Sequence, residues 1–449
     1  MNTSSYGFYY QYLITSSFGQ SGTKKEELDE MFSYVKELSF YFFSKNIKEE
    51  GFDSLWDFNA SFCTSYGLKL DARDRLKKLV NAKVLSFCQR SELYSFKYPY
   101  IYYFFIAKYL ADSLGDIDTQ KIIEELIESL DKSRNMNTLM FLTHHSKDKS
   151  ILDKIIDRAS RVFNNIEAAN LDVDSMFIDN IIKTLPQLKY EADNSDSHSF
   201  RLKVEDSKDK GPTNNDDFVA EEDGNDESSG SHAVDIVKEM NLAFKSLDLL
   251  GQLARNYYGS LKVGDKLRLI DEAISTPLRG IGSLFNMITK NPEETIELIK
   301  HKIEQRIDES DDFDKLEIST HEIDKLAREV LFSLLSTVSY GFINKIAGSI
   351  GNVKLMPVIE KLAVENPTNS YKLIHLAVKL DMGGAVSPEV IKKIAKSIDQ
   401  NGLSTHLTKS LILNYLYMFE VDDKVVQKLC DLVGIQYQRV SRDLLLEKK

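Results

Sequence analysis

Apolar positions recur every three or four residues along most of the chain, which is the signature of helices that bury one face. In EELDEMFSYVKELSFYFFS, Leu28, Met31, Phe32, Val35, Leu38 and Phe42 form such a stripe. Leu55, Phe58 and Phe62 repeat it in DSLWDFNASFCTSYG, which ends at Gly67, a C-cap residue. A third helix is predicted over DARDRLKKLVNAK, capped by Asp71 and turning Leu76, Leu79 and Val80 inward. The period then shortens. VLSFCQ and LYSFKY, separated by polar RSE, read as a small hairpin. Pro99 next opens a segment with the rings of Tyr100, Tyr102, Tyr103, Phe104, Phe105 and Tyr109 close together. Three helices, a hairpin and a further helix predict a winged-helix-like unit over residues 1–114.

Helical periodicity continues through 115–190, an expected helical arm. It resumes over 232–438 as helices joined by short turns, loosely even in spacing from residue 352 onward. That pattern predicts helix pairs stacked into a solenoid-like array, although no fixed-period consensus names a repeat family. The predicted fold class is mainly all-α. Residues 439–449 are expected to fray once their apolar side chains dock.

Composition changes this picture in one place. The chain has 449 residues, 42% hydrophobic and 28% charged, as expected of a globular protein with two or three domains. Its formal net charge is -12, but residues 191–231 hold 13 acidic against 4 basic residues and carry -9 of that. This stretch is predicted to be an acidic linker without order of its own, with HSFRLKV a short strand inside it. The remainder is close to neutral, so no global basic field favours nucleic acid. Three scattered cysteines, Cys63, Cys88 and Cys430, fit reduced thiols better than a disulfide framework. With no signal peptide and no unbroken apolar run near membrane-spanning length, the expected location is the cytoplasm.

Three motifs imitate enzyme sites and fail on chemistry. HEIDK at His321–Lys325 has an ammonium where a zinc protease needs its second imidazole. GSLKVGDK at 259–266 places Asp265 between the last glycine and Lys266, where it would repel phosphate. His144 and His145 are adjacent, and neighbours on a helix point about 100° apart. No catalytic residue, cofactor site or metal site is predicted. Candidate partner contacts are Arg279, favoured as a structural ion pair beside Gly280 and Gly282, and Tyr257 and Tyr258 before Gly259. Candidate nucleic-acid contacts are Arg73, Arg75, Lys77, Lys78 and Lys83 on and after the third helix.

The aromatic phrase YSFKYPYIYYFFIAKYLAD, preceded by LKKLVNAKVLSFCQRSEL, resembles the segment after the ATPase core in bacterial NACHT-like, STAND-type NTPases. The matching positions are Phe96, Phe104 or Phe105, Ala107, Tyr109 and Leu110, whereas Tyr98 stands where the family often has histidine. YGFYYQYLITSSFG and MNLAFKSLDLLGQLARNYYGSL resemble helical phrases of the same proteins. The chain carries no Walker A sequence. The resemblance therefore implies a winged-helix and helical sensor portion without its motor, acting as a split subunit, truncated product or adaptor. It implies a non-catalytic sensor or scaffold whose partner is a separate ATPase or effector, in a class where many members serve anti-phage defence. Two other readings remain open: a nucleic-acid-binding regulator using the winged-helix-like unit, and an enzyme whose site is assembled from distant residues.

Overall fold

The structure is a computed structural model describing residues 6–146, 148–181, 187–192, 201–202, 232–308, 319–382, 387–398 and 401–439. It is mainly α-helical, as the periodicity predicts. The chain divides into two compact units, Met1–Arg158 with Pro212–Asp235, and Ala159–Gly211 with Ile236–Lys449. The division falls within the span 115–190, which the sequence reads as one arm. Most of the acidic stretch 191–231 and its HSFRLKV segment lie outside the described residues, as does 440–449; Arg201 and Leu202 are helical.

The first unit begins with α1 (Tyr6–Gln20) and α2 (Leu28–Ser44), followed by β1 (Glu49–Gly51), α3 (Phe52–Tyr66) and α4 (Ala72–Asn81). The hairpin β2 (Leu85–Cys88) and β3 (Leu93–Phe96) comes next, then α5 (Pro99–Asp112), α6 (Ile117–Glu128), α7 (Ser133–Ser146) and α8 (Lys149–Ser160). The hairpin is part of a three-stranded antiparallel sheet of order β1-β3-β2, with Glu50 opposite Tyr94 and Phe87 opposite Tyr94 on the other side. Gly67 ends α3 in the left-handed conformation, where it carries no Cβ penalty.

α5 is the centre of this unit. Every residue from Ile101 to Ala107 is buried, because α2, α7, α1 and β3 all pack on it. Phe104 meets Phe141 at 5.6 Å edge-on, and Tyr109 stacks on Phe40 at 3.7 Å. Only the last turns are wet, with Asp112 paired to Lys36 at 3.0 Å. A helix that is apolar all round belongs inside a core.

The second unit holds α9 (Met176–Ile181), β4 (Lys189–Ala192), α10 (His232–Tyr257), α11 (Val263–Lys290), α12 (Pro292–Asp308) and α13 (Thr320–Ile350). These are followed by α14 (Met356–Glu365), α15 (Asn369–Asp381), α16 (Pro388–Ser397), α17 (Gly402–Met418), α18 (Asp423–Val433) and β5 (Gln436–Arg439). α13 is its long axis, packed by α11, α12, α15 and α17. α10 crosses α13 closely: a Cβ on Gly251 would sit 2.5 Å from the Ser349 carbonyl oxygen. β4 and β5 pair in parallel, and Tyr190 packs on Tyr437 and Tyr417.

Residues 161–175 run through this unit with little regular structure, so their backbone groups need side-chain partners. Ser370 donates to the Ala169 carbonyl and accepts from the Leu171 amide at 3.1 Å. Asn401 donates to the Leu171 carbonyl at 2.6 Å, and Asp172 accepts from the Asn369 amide at 3.0 Å. The helices α15 and α17 thereby do for this segment what a neighbouring strand would do in a sheet.

Candidate functional site

An open groove of about 1050 Å³ lies in the first unit between α4, the start of α3 and the β2–β3 hairpin. Local sequence explains how its walls are set. Asp71 caps α4 by accepting from the Asp74 amide at 2.9 Å, which fixes the helix start. From that start, Ala72, Leu76 and Leu79 point inward, while Arg73 and Lys77, four residues apart, look outward along the groove. Cross-strand Phe87 and Tyr94 form the hairpin wall, with rings 4.7 Å apart. Phe52 begins α3, and the Arg73 guanidinium lies over its ring at 5.2 Å. Asp53 and Glu92 also line the groove, so its two cations face two carboxylates rather than forming a basic field.

The five basic residues named as candidate nucleic-acid contacts lie in different surroundings. Arg73 and Lys77 are exposed in the groove. Arg75 turns inward, 6% exposed, where it pairs with Glu30, touches Met31 and lies over the Tyr34 ring at 5.5 Å. Position 75 lies on the same helix face as Ala72 and Leu79, so the structure places Arg75 against the core rather than along the groove. Lys78 is half-exposed and pairs with Glu27 at 3.1 Å. Lys83 follows the helix in a left-handed turn, φ 55°.

In the second unit, Arg279 holds Glu272 at 2.7 Å and donates to the carbonyls of Val162 and Ala159 at 2.8 and 3.0 Å. Its surroundings are those of a structural clamp. Gly280 and Gly282 lie where neighbouring groups come close, for a Cβ on Gly282 would lie 2.6 Å from the Glu167 carbonyl oxygen. Tyr257 and Tyr258 are half-buried at the end of α10. HEIDK starts α13 inside a capping box in which Ser319 and Glu322 bond reciprocally, and GSLKVGDK is a turn leading into α11. Burial holds the His145 imidazole down at about 3, in the neutral form, against Phe104. Among the described residues no three His, Cys, Asp or Glu side chains gather as a metal site.

The aromatic lining of the groove, Phe52, Phe87 and Tyr94, was not singled out by sequence reasoning. Phe87 is 40% exposed on a short strand, an exposure the sequence does not show.

With the groove and α5 placed, one comparison bears directly on them. Residues 51–106 match a family model described as Novel STAND NTPase 4. The matched stretch runs from the last residue of β1 to the middle of α5, so it contains the groove, the hairpin and the first half of the buried aromatic helix. It overlaps the phrase whose residues resemble STAND NTPases, whereas YGFYYQYLITSSFG and MNLAFKSLDLLGQLARNYYGSL fall outside it. No curated protein and no solved structure matches the chain.

Proposed function

We propose that this protein is a non-catalytic sensing or scaffolding component of a STAND-type system, acting through a protein partner. The observation that carries this reading is the STAND match over residues 51–106, which spans α3, α4, the β2–β3 hairpin and the first half of α5. The order helix, strand, helix, helix, strand, strand from α2 to β3, with sheet order β1-β3-β2, supports a winged-helix reading of the region around this match. The partner we infer is a separate ATPase or effector subunit, and a defence role follows from the family resemblance. Support for a partner surface in the second unit comes from α13, where Leu326, Val330 and Leu334 are 44%, 42% and 53% exposed at four-residue spacing. An exposed apolar stripe of this sort favours a protein contact.

The test is co-purification of the full chain with a STAND ATPase from the same host, repeated with Val330→Asp and Leu334→Asp. The reading expects capture by the native chain and loss in both variants, with unchanged helical content by circular dichroism. Nucleotide hydrolysis by the purified chain, abolished by a single substitution within it, would overturn the non-catalytic reading. A second reading, nucleic-acid binding, draws on the exposed pair Arg73 and Lys77. It would take precedence if the chain shifted DNA in a salt-dependent way that Arg73→Ala with Lys77→Ala removed.

A further inference from the structure

A second concavity, within the second unit, has a different chemistry from the groove. It measures about 360 Å³ and lies between α13 and α17. Small-molecule pockets span roughly 300–1,000 Å³, so its size admits a compact ligand. On α13, Ser333, Ser336 and Tyr340 line it at helical spacing; on α17, His406, Asn414 and Tyr417 do the same. No Asp, Glu, Lys or Arg is in its wall. Burial lowers the His406 pKa, which keeps its imidazole neutral, edge-on to Phe332 at 5.3 Å. Ser336 is the most buried group of the wall, 4% exposed, and its Oγ has no hydrogen-bond partner among the described residues.

We propose that this pocket binds a neutral carbohydrate of one or two sugar rings. Hydroxyl, amide and neutral imidazole groups can each donate and accept, which matches ligand hydroxyls that do both. The Tyr340 and Tyr417 rings offer apolar surface for the C–H faces of a sugar. The uncharged wall supplies no counter-charge for an anion or a cation, each of which would lose hydration on entry. Ser336 supplies a hydroxyl left over by the fold, to be satisfied by a ligand group that reaches it. This inference is independent of the partner reading, which concerns Leu326, Val330 and Leu334.

Saturation-transfer NMR and calorimetry on the full chain, with glucose, maltose and N-acetylglucosamine as probes and adenosine and tetraglycine as comparisons, test it. At least one sugar should receive saturation at its ring C–H protons. Asn414→Ala and Ser336→Ala should each weaken its binding about tenfold, the effect of one lost hydrogen bond. Ser336→Ala should do so with no fall in melting temperature, since its Oγ has no partner to lose. Arg73→Ala should bind as the native chain does. Saturation of none of the sugars, native sugar affinity in both pocket variants, or binding of adenosine or tetraglycine alone would overturn the proposal.

Discussion

Replacing Arg75 by alanine separates a structural arginine from a nucleic-acid-contacting one. Arg75 is 6% exposed, and its partner Glu30 has a side chain 26% exposed. Breaking a fully buried pair by removing one member costs about 3–5 kcal/mol, because the other charge is left without compensation. Glu30 retains some water, which lowers that figure, while the lost contact over the Tyr34 ring adds about 0.5–1 kcal/mol. A net loss of about 2–3 kcal/mol follows, using the lower part of the buried-pair range. For a unit of this size each kcal/mol shifts the melting point by about 2–4 °C, so a fall of about 4–12 °C is expected. The single tryptophan, Trp56, lies on α3 in the same unit, so its fluorescence during urea denaturation reports that unit separately. Arg73→Ala is the control: it is exposed, and its loss should stay within about 1 kcal/mol, the worth of its contact with Phe52. Equal midpoints for Arg75→Ala and the native chain would refute the structural role of Arg75.

Other perturbations test other parts of the fold. Gly282→Ala should destabilise the second unit by about 1–3 kcal/mol, because the new methyl meets the Glu167 carbonyl oxygen at 2.6 Å. Gly259→Ala, where nothing lies within 4 Å, should not lower stability when both are compared by circular dichroism. Arg328 and Lys300 hold the Asp324 carboxyl down at about 2, below its ordinary 3.8. A lowered carboxyl stabilises above its unfolded pKa and loses that contribution as pH falls through the folded value. Asp324→Asn should therefore remove part of the acid destabilisation between about pH 4 and 2, and less so at high salt, as stability measured across that window would show. Among the cysteines, hydrogen bonds from Ser91 and its neighbours lower the exposed Cys88 thiol, whereas burial pushes Cys430 up to about 11. Iodoacetamide at neutral pH should label Cys88 first, with Cys430 labelled only on unfolding, as peptide mapping would show.

Helices were legible wherever burial is one-sided. The Asp71 cap, the Gly67 stop and the Pro99 start all stand where the sequence places them. Which neighbours bury α5 on every side from Ile101 to Ala107 was not legible, since they come from distant parts of the chain. β1 was illegible for the same reason. Glu49, Glu50 and Gly51 show no alternation, and pairing with β3 makes them a strand. β4 and β5, some 247 residues apart at Lys189 and Gln436, illustrate it again. Arg75 could have been read correctly. Its position between Ala72 and Leu79 places it on the inward face, and only its charge argued otherwise.

The same distinction between composition and surroundings governs α13. At 31 residues it extends about 46 Å, and by length and composition it could cross a membrane. Half of its most apolar window is nevertheless buried within the protein. Leu331, Phe332, Leu335, Phe342, Ile343 and Ile346 are covered, which assigns much of its hydropathy to a protein core. What remains outside is narrower: Leu326, Val330 and Leu334 along one edge. A lipid-facing helix would need apolar surface over its whole exposed side, whereas exposed Lys325 and half-buried Glu329 sit beside this edge, 3.9 Å from each other. An apolar edge flanked by charge has the form of a protein interface, with a polar rim around an apolar strip. If the proposed partner binds here, a charge at Val330 or Leu334 should remove its capture without disturbing the helix, because neither side chain contributes to the covered face.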